Sequence, residues 1–454
     1  MDLGDFMLRA FQIELNKLIT LVCKFFGYNS TVFPGAITYN IRQSVLTKIK
    51  YPKYVIGVTG SSGKGTTTDL IATTLKKAGL NVVYNESGSN GIRAITTIIL
   101  NNCNIFGRMK CDALLLEIDE RHLYRAFGKN KMTHLVITNI TRDQPARNGS
   151  PDLIYDFIFR TLGHGETTLV INGDDPTVNK CKLNYKGKII TYGLDQTKDS
   201  SKTTTSLSID SAYCPNCHYK LIYDYYHYGH IGSYHCPNCS FNRNPLDFEG
   251  KNLDLEKQTL TINDQEYKIN KNILYAAYNT LGAYALCKTL GIKEEILQET
   301  LNTNIKEAKR GHIYTVNNKT ITMLESKNEN CLSYYQSIKY IIDEESSKTI
   351  ILGFDNVSRR YKFNDLSWLY DVDFELLNQK DIDKIVCIGR FRYDVANRLK
   401  YAGIPEDKII LVENTKDILK TALNQQGENI YTMVCFDMTA VIKKQIQEVL
   451  NENN

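Results

Sequence analysis

No run of apolar residues in this sequence approaches the roughly 20 that a helix needs to cross a bilayer, so no spanning segment is expected. Blocks of like charge are missing as well. The 55 Lys and Arg and 50 Asp and Glu are scattered, and a net charge of +5 is mild on 454 residues. That gives no support for a nucleic-acid-binding surface and provides at most weak attraction to anionic lipid or phosphate groups. A secretory leader is not expected either. Residues 1–28 carry apolar positions at helical spacing, but Asp2, Asp5 and Glu14 are wrong for a basic leading region. Packing of this segment against the body of the protein is the plain expectation, and contact with a membrane surface the alternative. Eight of the twelve cysteines stand singly, several inside apolar stretches such as VCIG and MVCFDM, as buried free thiols do in a reducing cytosol.

What is present begins at residue 55, with VIGVTGSSGKGTTTDLIATTLKKAGLNVVYNES. The pattern reads as strand (55–58), loop (59–65), helix (66–78) and a second strand at Val82 and Val83. Gly60, Ser61, Ser62, Gly63 and Lys64 let successive backbone N–H groups converge on an anion, which bulky side chains would prevent. The helix opening at Gly65, Thr66 and Thr67 adds its N-terminal partial charge, and Lys64 is a mobile cation for the β- and γ-phosphates. The Thr66 hydroxyl then reaches a Mg²⁺ that bridges them. The loop is one residue shorter than the usual Walker spacing, yet strand, glycines, lysine, hydroxyl and helix stand in the order ATP binding needs.

Strand-like runs follow at 112–119, 134–140 and 167–176, separated by helical stretches, as in a parallel α/β sheet. Ligands gather at the carboxyl ends of such strands. Glu117, Asp119 and Glu120, then Asn139 and Asp143, then Asn172, Asp174 and Asp175 are accordingly expected around the Lys64 loop. Cys214, Cys217, Cys236 and Cys239 form C-x₂-C-x₁₈-C-x₂-C, two knuckles that close on one tetrahedral Zn²⁺ with no position left for water. The zinc is therefore structural. His218, His227, His230 and His235 lie among the knuckles and are expected at the surface. The helix at 272–291 ends at Gly291, and strand- and helix-like runs then alternate from about residue 313 to the end.

The succession GSSGKGTTT, LLLEIDE, VITNITRDQ, VINGDDP and YNTLGAYAL resembles the central ATPase domain of the Mur ligases. The four-cysteine insertion and DLSWLYDVDFELL (365–377) resemble the MurT branch of that family. The resemblance implies three regions: a helical segment (1–50) in place of the usual UDP-binding domain, a central P-loop ATPase domain (51–312) with the zinc ribbon inserted at about 207–247, and a Rossmann-like α/β domain (313–454). It implies Lys64 on the phosphates, Thr66 and Glu117 at Mg²⁺, Asn279 near adenine, Arg310 near phosphates or ribose, and Asp174 and Asp175 around the nucleotide. The activity implied is ATP-dependent amidation of the D-glutamate α-carboxylate in the lipid II stem peptide, through an acyl phosphate, with ammonia from a glutaminase subunit of the GatD type. No cysteine here has the small-residue flanks of a nucleophile elbow, so the glutamine-hydrolysing thiol belongs to the partner. Asp365 is implied as the carboxylate that orients the partner's histidine; its plain alternative is a cap for LSWLYD. Two stretches depart from the branch: Lys327-Asn328-Glu329-Asn330-Cys331 stands where KNPAG is usual, and DNVSRRYKFND (355–365) is longer and more basic. The competing readings are an amino-acid-adding ligase of Mur or folylpolyglutamate type, and an ATP-holding scaffold without catalysis.

Overall fold

A computed structural model describes residues 3–128, 132–163, 165–204, 209–271, 273–303, 312–358 and 364–452. The chain divides into two compact units. The first holds residues 1–141, 150–204 and 210–307; the second holds 308–454 together with the short stretches 142–149 and 205–209.

Among the described residues, the first unit is built on a nine-stranded sheet: β1 (Tyr54–Thr59), β2 (Val82–Tyr84), β3 (Ala113–Glu117), β4 (His134–Ile137), β5 (Thr168–Asn172), β6 (Ile189–Leu194), β9 (Phe248–Asp254), β10 (Thr259–Ile262) and β11 (Gln265–Lys268). Two further strands, β7 (Ile222–Tyr228) and β8 (Ile231–His235), make a separate hairpin. The order β11-β10-β9-β6-β5-β4-β1-β3-β2 is parallel from β2 to β9 and closes with an antiparallel meander. Strands buried on both faces read as continuous apolar runs, and Leu114, Leu115 and Leu116 of β3 and Leu169, Val170 and Ile171 of β5 are all buried. Strand β1 has β3 on one side and β4 on the other. The strand order therefore reverses beside β1, which is where a crevice for ligands opens in such sheets.

Helices α1 (Leu3–Phe25) and α2 (Phe33–Ile41) belong to this unit, as do α3 (Lys64–Lys77) and α4 (Ile92–Asn101). The first two are tied down by polar contacts: Gln12 donates to Thr38 O (2.7 Å), and Asn16 donates to Asn101 Oδ1 (2.9 Å) and Thr97 O (3.2 Å).

The second unit holds six strands in one sheet among the described residues: β12 (His312–Val316), β13 (Lys319–Glu325), β14 (Lys348–Gly353), β15 (Ile382–Ile388), β16 (Ile409–Leu411) and β17 (Asn429–Val434), in the order β12-β13-β17-β14-β15-β16. Only β12 runs antiparallel to its neighbour. β17 is inserted between β13 and β14, a pairing that sequence order alone conceals. The lone Trp368 is fully buried and stacks in a tilted arrangement on Tyr334 (5.2 Å between centroids) and Phe354 (5.5 Å).

Candidate nucleotide site and cysteine ribbon

The glycine loop follows β1 directly, and two of its glycines have left-handed backbones, Gly60 at φ 127° and Gly63 at φ 85°. A Cβ at Gly60 would strike Thr138 Oγ1 and the Asn139 backbone, and one at Gly63 would strike Asn279 Oδ1. Only glycine meets both demands. Asn139, at the end of β4, holds the loop by accepting from Ser61 N (2.9 Å) on its carbonyl and from Ser62 N (3.1 Å) on Oδ1. Thr138 Oγ1 donates to Ser62 O (2.6 Å). Helix α3 begins at Lys64, so the N–H groups of Lys64, Gly65 and Thr66 open its first turn, where a helix offers donors to an anion.

Lys64 donates to Gly60 O and pairs with Glu120 at 3.1 Å, and Gly60 N also donates to Glu120 (3.1 Å). This carboxylate stands on the two groups that a phosphate would engage. Glu117, at the carboxyl end of β3, is almost fully buried; its Oε1 accepts from Asn90 Nδ2 (2.9 Å), and a Cβ at Gly65 would lie 3.1 Å from its Oε2. Asn85 clamps the same residue's backbone, donating to Glu117 O (2.7 Å) and accepting from Glu117 N (2.8 Å). Burial pushes the Glu117 carboxyl above its ordinary pKa, with Asn90 and Lys64 acting in the opposite direction. A carboxylate held short of its preferred hydration beside a phosphate loop is a fitting ligand for a divalent cation. Asn85 and Asn90 are absent from the sequence reading. Their signal was the polar NESGSN after β2, which only tertiary pairing with β3 makes meaningful.

Thr66 is half-buried on the first turn of α3. Thr67 Oγ1 donates to Asn279 Oδ1 (3.3 Å), which brings the helix Leu274–Thr289 against the loop. Arg310 lies outside the described residues. At the end of β5, Asn172, Asp174 and Asp175 are fully buried. Asn172 Oδ1 accepts from Asp174 N (3.1 Å), while its Nδ2 has no acceptor among the described residues. Asp174 accepts from Arg243 Nε (2.6 Å), Tyr278 Oη (2.6 Å) and Leu194 N (2.8 Å). Asp175 caps the short helix Pro176–Asn179 and also accepts from Ile140 N (2.7 Å), next to the Asn139 that holds the loop. Asp143 belongs to the second unit. It accepts from Asn330 Nδ2 (2.7 Å) and pairs with Lys327 (3.2 Å).

Cys214 and Cys239 Sγ lie 3.6 Å apart, Cys217 and Cys236 Sγ 3.3 Å apart, and all four sulfurs fall within 4.8 Å of one another. A tetrahedron with Zn–S bonds of about 2.3 Å has sulfur–sulfur edges of about 3.8 Å. Disulfide sulfurs sit at about 2.05 Å, so the cluster fits a metal and not a bridge. In both knuckles the second asparagine-side N–H points at the first sulfur: Asn216 N to Cys214 and Asn238 N to Cys236, each at 3.4 Å. Two of the histidines depart from expectation. His218 is exposed and His235 half-buried, but His227 and His230 are buried. His227 bridges Ser200 Oγ (3.0 Å) and Leu194 O (3.2 Å), and burial lowers its pKa. His230 faces Asp175 at 3.4 Å; burial opposes its protonation, the Asp175 charge outweighs that, and its pKa is raised. They anchor the ribbon hairpin to the end of β5.

In the second unit, Asp365 is half-exposed and accepts from Ser367 N (2.9 Å) at the mouth of the 3₁₀ turn Ser367–Asp371. Asp371 pairs with Arg142 (2.9 Å). In the stretch 327–331, Asn330 Oδ1 accepts from Ser333 N (2.7 Å) as the cap of the helix Cys331–Ile342. The basic stretch 359–363 lies outside the described residues.

The sequence model of the Mur ligase middle domain matches residues 58–240, and that of the MurT ligase C-terminal domain matches residues 327–439. The chain is 29% identical over 431 residues to the Staphylococcus aureus protein "Lipid II isoglutaminyl synthase (glutamine-hydrolyzing) subunit MurT", with 94% of this chain and 95% of that protein covered. The protein of the same description from Streptococcus pneumoniae is 29% identical, with 90% of each chain covered. Among solved structures, a pseudomurein peptide ligase type C from Methanothermus fervidus superposes with a TM-score of 0.63 at 20% identity, covering 90% of this chain and 81% of that one. MurF from Acinetobacter baumannii follows the same fold, with a TM-score of 0.61 at 13% identity and 90% and 80% covered. With two domain models matched in tandem and relatives matched over nearly their whole length, the chain belongs to the MurT branch of the Mur ligase family.

Proposed function

We propose that this chain is the synthetase subunit of a lipid II isoglutaminyl synthase, which converts the D-glutamate α-carboxylate of the stem peptide into a carboxamide during peptidoglycan synthesis. The observation that carries the reading is similarity over 94% of this chain and 95% of a relative so described. It is joined by a glycine loop whose lysine and buried glutamate suit ATP and Mg²⁺. A substrate carboxylate oxygen attacks the γ-phosphorus of ATP, ADP leaves, and the acyl phosphate formed has a good leaving group. Ammonia attacks the carbonyl carbon, phosphate departs, and a proton is lost to give the amide. Mg²⁺ neutralises phosphate charge where it is bound, and Thr66 and Glu117 are the residues that would hold it. Lys64 exchanges its Glu120 partner for the phosphates. Zinc at Cys214, Cys217, Cys236 and Cys239 is structural.

Ammonia comes from a glutaminase subunit of the GatD type, to which this chain lends Asp365. A cytoplasmic reaction is in keeping with the buried free thiols Cys23, Cys103, Cys181, Cys287, Cys387 and Cys435. The test is the purified chain with lipid II, ATP, Mg²⁺ and ammonium. Amide formation with stoichiometric phosphate release is expected. Turnover that needs an added amino acid and ignores ammonium overturns the reading in favour of an amino-acid-adding ligase.

A further inference from the structure

Helix α1 is amphipathic in the reverse sense. Its inward face is largely polar: Arg9, Gln12, Asn16 and Thr20 are buried, with Ile13 and Cys23 the apolar residues beside them. Its outward face carries Leu3, Met7, Phe11, Leu18, Val22 and Phe25, at helical spacings of three, four and seven, and Phe25 is 83% exposed. Helix α2 presents Phe33, Ile37 and Ile41 on its own outward face, and the exposed Phe106 lies 6.0 Å from Phe6 of α1. Inward polar groups with satisfied hydrogen bonds hold the helices in place, so the outward stripe is not a core that has slipped. An exposed apolar surface of this extent marks an interaction site.

Charge selects the occupant. Residues 1–53 contain seven Lys and Arg against three Asp and Glu; Arg9 is buried and Arg42 and Lys48 pair with Asp5, while Lys24, Lys50 and Lys53 are exposed. On α1, Glu14 is the acid on the outward side and is paired with Lys17 at 2.8 Å, while Lys24 stands exposed beside Phe25. A second copy docking face to face would bring this basic rim against itself. Anionic headgroups complement it, and aromatic and aliphatic side chains then enter the acyl boundary while lysines stay with the phosphates. No described helix is long and apolar enough to cross a membrane, so the arrangement is that of a helix lying in the surface. We infer that the outward face of α1 and α2 seats on an anionic lipid bilayer. The inference deepens the reading above, whose acceptor carries a lipid, and it presents the first unit to a substrate held in the membrane plane.

The test uses the full chain and vesicles free of peptidoglycan precursor, so it stands apart from the ligase assay with detergent-dispersed substrate. The chain is expected to sediment with phosphatidylglycerol vesicles and to partition more weakly onto phosphatidylcholine vesicles or at high salt. Phe11→Ser, Leu18→Ser and Phe25→Ser combined should lower partition by about tenfold or more, with Tm and ATP turnover unchanged. Lys17→Glu with Lys24→Glu should weaken binding to phosphatidylglycerol and leave phosphatidylcholine unaffected. No sedimentation with phosphatidylglycerol overturns the inference, as does binding indifferent to the serine substitutions. Concentration-dependent dimers that these substitutions abolish, without vesicle binding, assign the face to a second copy instead.

Discussion

Lys64 is paired with Glu120, whose carboxylate also accepts from Gly60 N in the glycine loop. Lys64→Ala should therefore lower ATP-dependent turnover by about a hundredfold or more while the fold persists, since this cation offsets charge on the transferring phosphoryl group. Steady-state rates with circular dichroism check both halves. Glu117 makes a sharper case. Its folded pKa is raised, so the native state holds this proton more tightly than the unfolded chain does, and stability falls as pH rises from about 4.5 through the raised value. Glu117→Gln should raise the Tm of the metal-free protein at neutral pH while reducing Mg²⁺-dependent turnover. Wild-type activity should decline toward acid as the carboxylate is protonated and loses its metal. A variant with unchanged Tm and full activity removes Glu117 from the site. Asp365→Asn keeps an acceptor for Ser367 N, because asparagine caps as well as aspartate. It should leave Tm and partner binding unchanged and ammonium-driven amidation intact, while glutamine hydrolysis by the complex falls by about 10⁴. Surviving hydrolysis assigns the role to another carboxylate.

The glycine loop was legible at the level of elements because strand, turn and helix are contiguous; β1 and α3 differ from the expected spans by a residue or two at their ends. The cysteine knuckles were legible for the same reason. What stayed hidden was long-range. Asn85 and Asn90 matter only because β2 lies beside β3, β17 enters the middle of its sheet from the far end of the chain, and His227 and His230 are buried only because the hairpin folds onto β5. Those histidines tie the ribbon to Asp174 and Asp175, and Asp175 holds Ile140 N beside the loop-bearing Asn139. The chain is expected to carry one zinc. Cys217→Ser should lower Tm first and weaken ATP binding second, by loosening that connection. Metal analysis with calorimetric ATP titration checks it; an unchanged Tm, or iron in place of zinc, contradicts it.

Across the molecule, the first unit contains a nucleotide loop with its acidic partners, and the second contains an α/β sheet with Asp365 on an accessible turn. Four of the single cysteines are poorly suited to glutamine hydrolysis. Cys103, Cys181, Cys287 and Cys387 are buried, and burial pushes each thiol up to about 12. A thiol so shifted is almost wholly protonated at neutral pH and is no nucleophile. The proposed reaction accordingly draws its nitrogen from a partner subunit. The most direct measurement supplies the chain, its glutaminase partner, lipid II, ATP and Mg²⁺ with glutamine labelled at the amide nitrogen by a heavy isotope. The expected result is heavy nitrogen in the stem-peptide carboxamide, dependent on the partner, with ammonium replacing glutamine when the partner is omitted. Heavy nitrogen absent from the product, with ATP consumed only when a free amino acid is added, would contradict it.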